Sequence, residues 1–387
     1  MKTTAKTAML LIALGLSVAL AQSSDTIKVG AITSLTGRFA TFGKMQKAGF
    51  QVAIDEINHR GGVLGKKLEL LLEDDASDTN KSLSAAEKLV NQGVPLIIGA
   101  YASSITKPLS QYLTREKVPL LVATAVDDTI TNPGSPYVFR VNNPSKAYTQ
   151  SFLELFNKLK VKKIAVLTSN DAFGKSVLKD ITTLGPAGGF QIVSQDSYDQ
   201  GLTDFRPILN RFKALDPDVV YLASYEADSV TIMRQSKEVG LKPRFFAGAA
   251  TGFALPSFAK AAGDAAEGTL VSVTWNDDVR YAGALRLYRT LKTELKEEPS
   301  QHAAQSYAAM LAAADAIKRA GGLDREKVQQ ALRKTLLVTS YGPVKFRDYD
   351  GFTNQNPVVI LITQVQNGKS VTVYPERISK ARVQEAK

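Results

Sequence analysis

The sequence predicts an α/β protein of two doubly wound parallel-sheet lobes. Three observations carry that reading. Short apolar runs alternate with segments of helical periodicity, the pattern of strand–helix–strand units. The alternation runs through twice, with a loop at 131–136 between the rounds. The chain has 387 residues, 44 % of them hydrophobic, enough for two domains with substantial cores.

The first round reads as strands over 27–33 (IKVGAIT), 67–73 (KLELLLE), 95–101 (PLIIGAY) and 119–125 (PLLVATA). Runs such as PLIIGAY are apolar throughout, as strands buried on both faces are. Between them lie a helix over 40–60, stopped by Gly61-Gly62, and one capped by Asp78 that runs to Asn91. A third helix starts at Ser103 or Ser104. The second round gives strands over 137–141, 163–169, 190–194, 218–224 and 244–249, with helices over 145–160, 173–184, 204–215 and 227–239. After a strand over 269–275 the rhythm changes to three helices, 279–297, 301–320 and 325–336. Strands over 343–346, 358–365 and 371–374 close the chain, the last two joined by Asn367-Gly368, a strong hairpin signal.

Composition removes several functions. Cysteine is absent, so disulfides, zinc–thiolate sites, iron–sulfur clusters and cysteine nucleophiles go with it. Only His59 and His302 are present, which rules out a multi-histidine metal site and leaves little for a catalytic triad. No G-x-G-x-x-G occurs, and Gly174-Lys175-Ser176 fails as a phosphate loop because Ser169 stands where its first glycine should be. The net charge is +11, but its 48 Lys and Arg are spread among 37 acids without a long basic run, so a solvated basic surface is preferred to a nucleic-acid groove. Residues 1–21 read as a cleaved export signal: Lys2 and Lys6, an apolar stretch over 9–20, then Ala19-Leu20-Ala21. No lipid-anchoring cysteine follows, which predicts a periplasmic or secreted protein.

Candidate ligand groups sit where parallel strands end. Ser103 and Ser104 open a helix, where hydroxyls and free amides suit an anion such as a carboxylate. Asp127-Asp128 follows PLLVATA at a similar strand end, divided between a site and a surface reading. Phe42, Tyr101, Phe173, Tyr225 and Trp275 are aromatic wall candidates, each alone more often core than pocket.

Residues 27–30 (IKVG), 34–37 (SLTG), Phe42-Gly43, 53–58 (AIDEIN) with 61–63 (GGV), Glu73-Asp74-Asp75, 171–174 (DAFG), Ala266-Glu267-Gly268 and 341–344 (YGPV) together resemble the periplasmic leucine/isoleucine/valine-binding proteins. The likeness spans the mature chain in order. It implies the type I periplasmic binding protein fold, with a three-strand hinge, a cleft that closes on solute, no catalysis and no cofactor. It divides the chain into lobe one (25–142 plus 273–341) and lobe two (143–272 plus 342–380). The partners implied are a small-molecule ligand and an ABC permease in the membrane, with no nucleic acid. By position, Ser103 matches a carboxylate-binding serine, Ala125 a carbonyl that receives an ammonium, Tyr225 a closing tyrosine, and Phe173, Phe42 and Tyr101 pocket positions.

Two departures bear on the ligand. A family threonine is replaced by Asp127, and the family glutamate that pairs with the ammonium by Ala249. Asp127 then either substitutes for that glutamate, keeping a branched-chain amino acid as ligand, or the ligand is an amide, urea or cationic amine. A sensor for a membrane receptor would use the same cleft, whereas a DNA-binding regulator would need an additional domain.

Overall fold

A computed structural model describes residues 26–385, so the expected export signal lies outside the described residues. The first round forms β1 (Thr26–Thr33), α1 (Ala40–His59), β2 (Lys67–Asp74), α2 (Thr79–Asn91), β3 (Ile97–Ile98), α3 (Ser103–Arg115), β4 (Leu120–Val122) and β5 (Val138–Arg140). The second forms α4 (Ser145–Lys158), β6 (Lys163–Ser169), α5 (Ala172–Ala187), β7 (Gln191–Tyr198), α6 (Arg206–Leu215), β8 (Val219–Ala223), α7 (Glu226–Glu238), β9 (Phe245–Gly248), α8 (Pro256–Ala262) and β10 (Leu270–Val273). Then come α9 (Ala284–Leu295), α10 (Gln301–Ala320), α11 (Arg325–Arg333), β11 (Leu336–Thr339), β12 (Gly342–Lys345), β13 (Arg347–Tyr349), β14 (Phe352–Gln355), β15 (Leu361–Gln366) and β16 (Lys369–Tyr374). Asp78 caps α2 as its type predicts, accepting from Lys81 N at 2.9 Å.

The strands make two seven-stranded sheets, ordered β2-β1-β3-β4-β5-β14-β13 and β7-β6-β8-β9-β10-β15-β16. Both begin with the doubly wound order in which the chain reverses direction beside the first strand, and ligands bind outside the carboxyl ends at that point. β1 to β5 are parallel, as are β6 to β10, while β15 and β16 pair antiparallel through Gln366↔Lys369. The turn there has φ of 53° at Asn367 and 72° at Gly368, the geometry that Asn-Gly favours.

One boundary differs from expectation. The resemblance places 342–380 in the second lobe, yet β13 and β14 extend the first sheet, and Gln355 pairs with Arg140 of β5. The buried Arg140 explains this. Its Nε donates to Gln355 Oε1 at 2.8 Å, its Nη2 to Thr131 Oγ1, and its Nη1 to the Asp127 carbonyl at 2.8 Å. A buried guanidinium requires such a shell of acceptors, and Gln355 supplies part of it. The third crossing therefore follows Gln355. The first follows β5 and the second follows β10. The helix expected from 279 begins at Ala284, and Leu336, expected to end the last helix, opens the strand Leu336–Thr339.

Each lobe seats the helix that follows its first strand, α1 after β1 and α5 after β6, in the same way. A Cβ at Gly43 in α1 would lie 1.8 Å from the Ser34 carbonyl oxygen, and one at Gly174 in α5 would lie 1.8 Å from the Ser169 carbonyl oxygen. Only glycine permits either approach. The preceding residues, Phe42 and Phe173, are both buried at the cleft. This Phe-Gly correspondence is a structural repeat between lobes whose sequences otherwise show none. Helix α10, rich in alanine, packs on α1, where Gly49 meets the Ala303 carbonyl.

Candidate functional site

The carboxyl ends of the parallel strands from both lobes face one another across a cleft with about 310 Å³ of empty space, part of it open to solvent. Lobe one contributes Tyr101, Ser103, Thr124 and Ala125 from the ends of β3 and β4, and Asn142 from the first crossing. Lobe two contributes Phe173, Tyr225, Ala250 and Thr251 from the ends of β6, β8 and β9. Gln301 and His302, at the start of α10, complete the wall.

Aromatic rings make the apolar part. Tyr101 stacks on Phe42 with centroids 4.2 Å apart and planes 14° apart. His302 meets both edge-on, at 5.3 Å to Phe42 and 5.6 Å to Tyr101. Across the cleft, Tyr225 packs on Phe39 at 4.7 Å and on Phe173 at 5.6 Å, so the lobes touch through rings. The Tyr225 hydroxyl donates to Asp171 Oδ2 at 2.8 Å, which fixes the ring.

Most polar wall groups are already satisfied. Asn142 donates to the Thr124 carbonyl at 2.8 Å and accepts from Tyr148 at 2.6 Å. Gln301 accepts from Thr274 N at 2.7 Å and donates to the Ala250 carbonyl at 2.9 Å. Thr251 donates to the Ser224 carbonyl at 2.6 Å. Ser103 is different. It is the first residue of α3 rather than its cap, which is Ala102, and no side chain caps the helix. Its Oγ accepts from Val126 N at 3.3 Å and Asp127 N at 3.2 Å, so the hydroxyl proton remains to be donated. The first amides of a helix have no intrahelical acceptor and carry the positive end of its dipole. Tyr101 Oη is buried without a hydrogen-bond partner among the described residues.

Among the described residues, no ionised side chain lines the cleft. Burial holds the His302 imidazole down at about 3, so it is neutral at ordinary pH. Asp127 does not line the wall. Its Oδ1 accepts from Thr129 N and Thr129 Oγ1, both at 2.9 Å, capping a short 3-10 turn. With Asp128 it also offsets the charge of Arg140, whose pKa burial lowers to about 10. Of the two alternatives, this geometry does not offer the one in which Asp127 stands in for the missing glutamate: its carboxylate caps Thr129, and its backbone carbonyl accepts from Arg140. Ser104 lies one residue further into α3 and off the wall, and Phe42 stands behind Tyr101. The Ala125 carbonyl, expected to receive an ammonium, is 3.4 Å from Arg140 Nη1.

Sequence reasoning missed Thr124, Asn142, Ala250, Thr251, Gln301 and His302. The strand-end rule could have found Thr124 and Thr251. His302 was discounted because its setting looked helical, and it is indeed near the start of α10.

The family model for periplasmic binding proteins matches residues 26–369. The chain belongs to that family. A relative from Pseudomonas aeruginosa, named a leucine-, isoleucine-, valine-, threonine- and alanine-binding protein, is 28 % identical over 337 residues, 86 % of this chain and 88 % of its own. A solute-binding protein of an ABC transporter from Rhodopseudomonas palustris, solved with 3,4-dihydroxybenzoic acid, superposes with a TM-score of 0.81 at 26 % identity, covering 94 % of this chain and 98 % of that one. The branched-chain amino acid transporter substrate-binding protein of Streptococcus pneumoniae, solved with isoleucine, gives 0.80 at 24 % identity, with coverage of 93 % and 100 %. The type I periplasmic binding fold is thus the fold of this protein.

Proposed function

We propose that this member of the family captures a small carboxylate with an apolar body and no ammonium group, and delivers it to an ABC permease. The observation that carries the reading is a contrast within the cleft. One end offers the Ser103 hydroxyl and the free amides of α3, a donor set for a carboxylate. The walls offer rings and no carboxylate side chain. An ammonium carried into this cleft would lose its hydration without an ionic partner, a cost of several kcal/mol. A cationic amine is disfavoured by the same argument. The bound acid in the Rhodopseudomonas palustris relative is of the proposed class.

A branched-chain amino acid is the second reading, favoured by the ligands named for the other relatives and by Ser103 and Ala125 at the expected positions. The chain catalyses nothing in either case, and its working place is outside the cytoplasmic membrane, in keeping with the signal expected at 1–21. The test is a thermal-shift panel on residues 22–387, unfolded and refolded to remove carried-over solute. Benzoate and short branched acids are expected to raise Tm. A ligand at ~100 times its Kd adds about 2.7 kcal/mol of stability. A shift with leucine, isoleucine or valine and none with the amine-free acids overturns the first reading in favour of the second.

A further inference from the structure

We propose that Asp128 and Asp180 form a proton-operated latch between the lobes, closed when one proton is shared at their junction and loosened when it is lost. The argument starts from one hydroxyl. Ser145 Oγ lies 3.1 Å from Asp128 Oδ1, 2.5 Å from Asp180 Oδ2 and 2.7 Å from Ser176 Oγ. Asp128 follows β4 in lobe one. Ser145 opens α4, and Ser176 and Asp180 lie on α5, all in lobe two. Backbone bonds fix the junction: Asp128 N donates to Ser176 Oγ at 3.1 Å, Lys146 N to Asp128 Oδ1 at 3.2 Å, and Ser145 N to the Val126 carbonyl at 2.8 Å.

Ser145 has one proton to give and two carboxylates converge on it. With both ionised, one is left facing a like charge without that donor. A further proton removes the conflict. Its seat is Asp180. Asp128 has Arg140 in its field and the Lys146 amide on its oxygen, while Asp180 is 6 % exposed and has only Ser145 as donor. Burial first, then Asp128, push the Asp180 carboxyl up to about 7.

The surrounding charges do not neutralise it. On α5, Lys179 is exposed and acts weakly on Asp180. On α4, Lys146 Nζ is engaged by Asp350 at 2.5 Å. α3, which packs on α5, carries Lys107, Arg115 and Tyr112. β6 carries Lys163 at its start, β7 carries Asp196 and Tyr198, and Tyr221 of β8 hydrogen-bonds Thr149. None of these basic groups makes an ion pair with either carboxylate.

Opening the cleft withdraws Asp128 and admits water to Asp180, so the open form releases the proton more readily. The closed form binds more protons near neutral pH, and closure is favoured as pH falls through about 7. This rests on lobe closure and not on the identity of the solute.

The absence of cysteine makes the test direct. Lys81→Cys on α2 and Asn210→Cys on α6 carry a donor–acceptor dye pair, and single-molecule energy transfer reads interlobe distance without added ligand. The closed-to-open ratio is expected to fall about tenfold between pH 6 and pH 8.5. Asp180→Asn, whose amide can donate to Asp128 at any pH, is expected to abolish the dependence, and Asp128→Asn, which removes the opposing charge but leaves Asp180 buried, to weaken it. A ratio that does not move with pH, whether the protein stays open or closed, overturns the latch. So does a wild-type slope retained in Asp180→Asn.

Discussion

Two residues separate the carboxylate claim from the charge that the sequence first suggested. Ser103→Ala removes the wall hydroxyl at the start of α3 that has a proton to give, and also leaves the Val126 and Asp127 amides without their acceptor. A hydrogen bond to a charged group contributes about 1.5–3 kcal/mol, so Kd for the acid should rise roughly ten- to a hundredfold by titration calorimetry. Asp127→Asn should leave Kd within about twofold, because that carboxylate caps Thr129 instead of meeting solute. The cost in stability belongs to Asp127→Ala, which removes the cap that asparagine keeps and should lower stability by about 1 kcal/mol. His302 supplies a pH test. Its native imidazole refuses a proton until about 3, while the unfolded chain accepts one near 6.5. Between those values the unfolded state binds more protons, so stability is lost as pH falls, on the order of 1 kcal/mol per pH unit. Urea midpoints from pH 7 to pH 4 should fall less steeply in His302→Asn than in the wild type. Equal slopes would contradict the buried neutral imidazole.

Among the elements, the paired Phe-Gly turns hold the two helix starts at the cleft. Gly43→Ala and Gly174→Ala each force a methyl carbon to within 1.8 Å of a strand-end carbonyl, so backbone must move. Each should cost about 3 kcal/mol or more, seen as a lower denaturant midpoint. Gly65→Ala, with open space around it but φ of 75°, should lose only about 1 kcal/mol. These elements also mark what the sequence makes legible. The parallel strands were readable because both faces are buried and the runs are continuously apolar, as in β4 and β8. The Asn-Gly hairpin and the Asp78 cap were readable because their chemistry is local. β13 and β14 were not, because RDY and FTNQ lack an apolar pattern and are held by Arg140 through Gln355, 215 positions away. The wall groups Gln301 and His302 escaped for a similar reason: a helix brought back by the second crossing presents them, and nothing in their neighbourhood of the sequence announces a pocket.

For the whole molecule, function resides in the meeting of two lobes, each of which supplies half a wall. Rings from both sides exclude water, which strengthens whatever the solute meets at α3 and penalises any charge without a partner. Under the proposed function, closure couples solute to the form that would be offered to a permease, and the proposed Asp128–Asp180 latch adds protons to that balance. The central claim is that this cleft takes a carboxylate and rejects the ammonium. It is tested most directly by calorimetry on the refolded, solute-free chain with matched pairs, isocaproate against L-leucine and benzoate against L-phenylalanine. The account predicts that the amine-free member of a pair binds at least tenfold more tightly. Tighter binding of the amino acid in both pairs would contradict it and return the ammonium to the site.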